Sequence, residues 1–152
     1  MIGILEEKKT MYENEMNFVF KSVSQNITAA RAVIVAFLSP LDPLLADLND
    51  IKTAVSEAIT NSIIHGYNSE PHHEVSLLCR YENKTIYIEI KDDGIGIQNL
   101  KQAMEPMYTS KPEEERSGLG FTFMENMMDT LHVNSNEGFG TIVYMTKTLS
   151  GI

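Results

Sequence analysis

The sequence has almost none of the features that stabilise or address a secreted protein. Its one cysteine, Cys79, rules out a disulfide within the chain and fits a reducing compartment. No apolar run is long enough to cross a bilayer. The opening MIGILEEKKT is charged and lacks the apolar core of a signal peptide. A cytoplasmic protein with no membrane contact is expected. Basic residues are also scarce: 12 Lys and Arg against 21 Asp and Glu give a formal net charge of −9. A surface this acidic repels the phosphate backbone, which argues against direct binding of DNA or RNA. It still permits a local cluster of amides and cations to hold a nucleotide, and it suits a basic protein partner. Solubility alone is the plainer reading of the charge. Repeats, low-complexity tracts and interdomain linkers are absent from the sequence as well.

What is present suffices for one ordinary domain: 152 residues, 43% of them apolar. Residues 1–12 read as a flexible leader and 13–152 as the domain. Met16, Phe18 and Phe20 alternate with polar neighbours as in a half-buried strand. Ser24 or Asn26 is a candidate cap for a helix whose apolar stripe is Ile27, Ala30, Ile34, Phe37 and Leu38. Pro40 ends it, and Asp42–Pro43 reads as the start of a long helix running to Gly66, a candidate left-handed C-cap. After the polar turn Asn68–His73 come two strands with apolar faces Val75, Leu77, Cys79, Tyr81 and Ile86, Ile88, Ile90, joined by a turn at Glu82–Asn83. A short helix near 98–104, an exposed loop over 105–117 and a helix from about Gly118 follow, the last with Phe121, Met124, Met128 and Leu131 inward. Two strands, near 131–136 and 140–148, close the chain. The predicted class is α+β: a two-layer sandwich with helices on one face of a mixed, mostly antiparallel sheet.

Three segments carry chemistry. Glu57 and Asn61 lie four apart on the long helix and so share a face. An Asn oxygen is a hard ligand suited to Mg²⁺, and a Glu can act as general base on a hydroxyl. The pair by itself is equally an ordinary polar helix face. Asp92-Asp93-Gly94-Ile95-Gly96 follows an apolar strand; its glycines permit a sharp turn, and a carboxylate there can accept from an exocyclic amine such as adenine's. Ser117-Gly118-Leu119-Gly120 opens a helix, where free amides and the helix dipole favour anions, with Lys111 and Arg116 on the preceding loop able to close over phosphates. Each is weak alone. In this order, on a helix face, a strand end and a helix start, they supply a metal and base site, an adenine site and a phosphate site.

In these three boxes the chain resembles the GHKL, or Bergerat-fold, ATPase superfamily. The segments MNFVFKSVSQN, IKTAVSEAITNSIIHGY, YTSKPEEERSGLGFTFMENMMD and GT-IVYMTKTLS are further similar to the anti-sigma F factor family of spore-forming bacteria. The resemblance covers roughly residues 14–149; residues 1–12 have no counterpart and Asn68–His73 is a variable turn. It implies that Glu57 is the catalytic base and Asn61 the Mg²⁺ ligand. It places Asp92, ahead of Asp93, at adenine. Gly94, Gly96, Ser117, Gly118 and Gly120 would line ATP or ADP, and Thr109, Lys111 and Arg116 would form a lid. It further implies a homodimer that binds a sigma F-like factor and phosphorylates a serine of an anti-anti-sigma protein. Arg31, which interrupts the small-apolar run Ala29-Ala30-Arg31-Ala32-Val33, would contact both partners; an internal salt bridge is the competing reading. The alternatives are a related stress-response switch-protein kinase and a nucleotide-gated binding module without significant catalysis.

Overall fold

The computed structural model describes residues 11–105 and 120–151. Strands β1 (Asn14–Lys21), β2 (Glu74–Glu82), β3 (Thr85–Asp92), β4 (Thr130–Asn136) and β5 (Gly140–Thr148) form one sheet in the order β1-β2-β3-β5-β4. Every pairing among the described residues is antiparallel. Helices α1 (Gln25–Leu38), α2 (Leu45–Asn61), α3 (Leu100–Ala103) and α4 (Gly120–Met127) complete the two-layer α+β architecture.

The core follows from the two sequence periods. Alternation places Val75, Leu77, Cys79 and Tyr81 of β2 and Ile86, Ile88 and Ile90 of β3 on one buried face, as predicted. Helical spacing buries Ala30, Ile34 and Leu38 of α1 and Ile51, Val55, Ala58 and Ile59 of α2 in the same cluster. Each large side chain so buried contributes about 1.5–3 kcal/mol. Met124 and Met128 extend the cluster from the α4 side. Leu131 packs there as well, from β4, because α4 ends at Met127.

The ends of the elements depart from expectation. Ser24 holds the N-cap position of α1 without a side-chain cap, and the Asn26 amide donates to the Lys21 carbonyl. Asp42 does not start α2. It adopts a left-handed φ of 50° and closes the 3₁₀ turn Ser39–Leu41, so the N-cap position passes to extended Leu44. The acidic residue that serves the first turn of α2 is Asp47, whose carboxylate accepts from the Ser150 amide at 2.7 Å and ties down the end of the chain. Gly66 is not a left-handed cap either. Beyond Asn61 the helix widens into a π turn, Ser62–Gly66, with the Tyr67 amide donating to the Ser62 carbonyl at 2.9 Å. The left-handed residues are Asn68 and Ser69, φ 56° and 61°. The β2–β3 hairpin turns at Asn83–Lys84, one residue later than predicted, with Asn83 at φ 54° and Glu82 paired to Thr85. Tyr12, the last residue of the expected leader, packs edge-on against Tyr87, with their ring centroids 5.2 Å apart.

Candidate functional site

The alternation that buries Ile86, Ile88 and Ile90 carries Asp92 to the same side of β3, where it is only 3% exposed. A strand otherwise apolar on that face thus delivers one carboxylate into the interior, and a buried carboxylate requires hydrogen-bond donors. Three are present: the Ser62 side chain, the Gly94 amide at 3.0 Å from Oδ1, and the Thr141 backbone. Burial pushes the Asp92 carboxyl above its ordinary value; these donors oppose the rise, and neighbouring Asp93 adds to it. The π turn brings Ser62 to this point, and single-turn π bulges recur at functional sites.

Close backbone approach shapes the surrounding wall. A Cβ on Gly94 would stand 2.1 Å from the Gly66 carbonyl oxygen, and one on Gly66 would stand 2.8 Å from Asp92 Oδ1. The Ile95 amide donates to that same Gly66 carbonyl at 3.0 Å. Glycine at these positions lets the end of α2 and the turn after β3 meet. Gly96 takes φ 76°, beside the Asn136 carbonyl. Tyr67, nearly buried, braces the arrangement: its hydroxyl accepts from the Asp93 amide at 2.7 Å and donates to the Glu74 carbonyl at 2.5 Å. Burial raises the Tyr67 pKa, with further upward pressure from Asp92, Asp93 and Glu74, partly offset by the Asp93 amide. The phenol therefore stays a donor.

Between α2, the β3 turn, α3 and α4 lies a cavity of about 710 Å³, within the range that holds cofactor-sized ligands. Asn61, Asp92, Gly96 and Gly120 all line it, so residues from three separated sequence segments converge on one space. Ala58, Ile97, Leu100, Phe121 and Val143 line it as well and give it an apolar side. Glu57 is half-buried one turn before Asn61 on α2 and is not itself a lining residue. Gly94 is not a lining residue either; its place is against Gly66, behind the wall. Asp93 points away, its side chain 80% exposed and 3.9 Å from Lys91 Nζ. Thr109, Lys111, Arg116, Ser117 and Gly118 lie outside the described residues.

Sequence reasoning did not single out Ser62, Thr141 or Tyr67. Ser62 adjoins Asn61, and Thr141 lies in a segment that carries the resemblance, but the role of each is a contact between distant elements. Arg31, on α1, is half-buried and donates from Nη1 to Ser56 Oγ of α2 at 3.1 Å. That places it between α1 and α2, with the Ser56 hydroxyl as a hydrogen-bond partner.

Comparison with known proteins agrees with this geometry. The family described as histidine kinase-like ATPase domain matches residues 20–147. The anti-sigma F factor of Oceanobacillus iheyensis is 54% identical over 138 residues, 91% of this chain and 94% of that protein. The anti-sigma F factor of Bacillus cytotoxicus is 50% identical over 137 residues, 90% of this chain and 94% of that one. In fold, the chain resembles a structure of RsbU and RsbW domains from Mycobacterium tuberculosis, with TM-score 0.66 and 16% identity over 90% of this chain and 32% of that one. It also resembles the histidine kinase domain of a blue-light activated kinase from Erythrobacter litoralis, with TM-score 0.53 and 20% identity over 81% of this chain and 61% of that one.

Proposed function

The chain belongs to the histidine kinase-like ATPase family, and within it to the anti-sigma F factors; from that premise we propose that it binds ATP in the described cavity, sequesters a sigma F-like factor, and phosphorylates a serine of an anti-anti-sigma protein. The observation that carries this reading is the buried Asp92 carboxylate, ringed by donors, facing the same cavity as Asn61. The Asp92 oxygens accept from the adenine amino group, which gives adenine preference over guanine. Asn61 offers a single hard oxygen, which fits Mg²⁺, an ion that takes few protein ligands and completes its shell with water and phosphate. When bound there, Mg²⁺ would screen the phosphate charge.

Glu57, one turn from Asn61 on the same face of α2, accepts the proton of the substrate serine as its oxygen attacks the γ-phosphorus. The O–P bond forms, the bridging P–O bond breaks, and ADP leaves. Gly120, at the start of α4, lets phosphate approach the helix amides. Thr109, Lys111, Arg116, Ser117 and Gly118 would complete the phosphate side. The protein acts as a homodimer in the cytoplasm, and the acidic surface suits a basic face on the sigma factor. A filter assay for ATP binding with wild type and Asp92→Ala, using GTP as competitor, tests the reading. Weaker ATP binding and a reduced preference for ATP over GTP are expected in the variant; undiminished adenine preference would refute the assignment.

A further inference from the structure

Outside the nucleotide cavity, on the turn between the π turn and β2, Glu70, His72 and His73 converge. One ligand atom from each lies within 4.8 Å of the others. We propose that this turn binds a late first-row divalent cation, Zn²⁺ in the first place, through Glu70 Oε2 and the Nε2 atoms of His72 and His73.

The distances suit such an ion. Glu70 Oε2 stands 3.0 Å from His73 Nε2 and 3.6 Å from His72 Nε2. Tetrahedral zinc, with bonds near 2.0–2.1 Å, holds its ligand atoms roughly 3.3 Å apart. The two separations bracket that figure; the His72 side chain is 69% exposed, with its ring centroid 4.2 Å from that of His73. Two imidazoles and a carboxylate favour zinc, copper or nickel over Mg²⁺, so the site differs in kind from the Asn61 site. Both imidazoles are directed at the same Glu70 oxygen, so an ion placed between them would meet all three ligand atoms.

The ligands also stand on a prepared backbone. Ser22, 1% exposed, donates from its hydroxyl to the Glu70 carbonyl at 2.6 Å and accepts from the His73 amide at 3.2 Å. Its own amide donates to the His73 carbonyl at 2.9 Å. The His73 ring is stacked on Tyr67, with centroids 4.5 Å apart and planes 11° from parallel. The His73 ring is therefore positioned before any ion arrives, which lowers the ordering cost of binding.

Isothermal titration calorimetry of the full chain, carrying no affinity tag, with ZnCl₂ in a non-chelating buffer containing MgCl₂, tests the proposal. One equivalent of Zn²⁺ should bind despite the Mg²⁺. His72→Ala should bind at least about tenfold more weakly, since even outer-shell changes cost that much. The double variant His72→Ala/His73→Ala should lose the equivalent while its circular dichroism spectrum stays that of the wild type. No zinc heat from the wild type, or an unchanged isotherm from the folded double variant, would overturn the site.

Discussion

Asp92 and its neighbour Asp93 show how much depends on which way one carboxylate faces. Both follow the same strand, yet Asp92 enters the cavity wall and Asp93 meets solvent. Asp92→Ala should weaken ATP binding roughly five- to 150-fold, the equivalent of about 1–3 kcal/mol for an unpaired buried polar group. Asp93→Ala should leave the affinity nearly unchanged; a fluorescent-nucleotide titration of both variants decides. The raised Asp92 pKa has a consequence for stability. Between the ordinary value, 3.8, and the raised one, the folded protein keeps a proton that the unfolded chain has released. Stability from this group is therefore present below 3.8 and falls as pH rises through the raised value. Asp92→Asn, which cannot ionise, should gain on the wild type as pH rises above 3.8 in urea unfolding. Parallel pH dependences would show that Asp92 titrates as an ordinary surface acid. Arg31→Ala should weaken capture of both the sigma factor and the anti-anti-sigma protein. It removes the hydrogen bond to Ser56, worth about 0.5–1.5 kcal/mol, and Arg31 is not itself a cavity-lining residue. Surface plasmon resonance against each partner, with ADP binding as control, checks this; unchanged partner affinity would take Arg31 out of the interface.

At the scale of elements, the sequence was readable where period decides structure and opaque where tertiary contact does. The stripes of α1 and α2 and the alternation in β2 and β3 announce their buried faces, because one wrong face would expose many apolar side chains at once. Glu57–Asn61 and Asp92–Gly96 were likewise visible as local spacings. The π turn was not, because a bond from Tyr67 to Ser62 leaves no mark in composition. Nor was the role of Gly66, whose missing side chain makes room for Asp92 on another element. Asp42 misled because the features that suit it to an N-cap also suit it to close a 3₁₀ turn. The junction of α2 with the β3 turn yields a further prediction. Gly94→Ala forces a Cβ to 2.1 Å from the Gly66 carbonyl, and the two backbones must part. A loss of about 1–3 kcal/mol in thermal unfolding is expected, as for overpacked interiors, together with weaker ATP binding. An unchanged melting curve would mean that the two segments are not in contact in solution.

For the molecule as a whole, topology turns scattered motifs into one site. β3 sits between β2 and β5, so its end lies beside Thr141 of β5 and beneath the end of α2. The sheet order, not proximity along the chain, brings Asn61, Asp92 and Gly120 to one cavity. The central claim is that this cavity serves phosphoryl transfer with Glu57 as base. It is tested most directly by following labelled γ-phosphate from Mg-ATP to the anti-anti-sigma serine, with wild type and Glu57→Ala compared at equal nucleotide occupancy. Transfer by the wild type, a fall of about 10²–10⁴-fold in the variant, and retained ATP affinity are predicted. Full-rate transfer by Glu57→Ala, or no transfer by the wild type, would contradict the account.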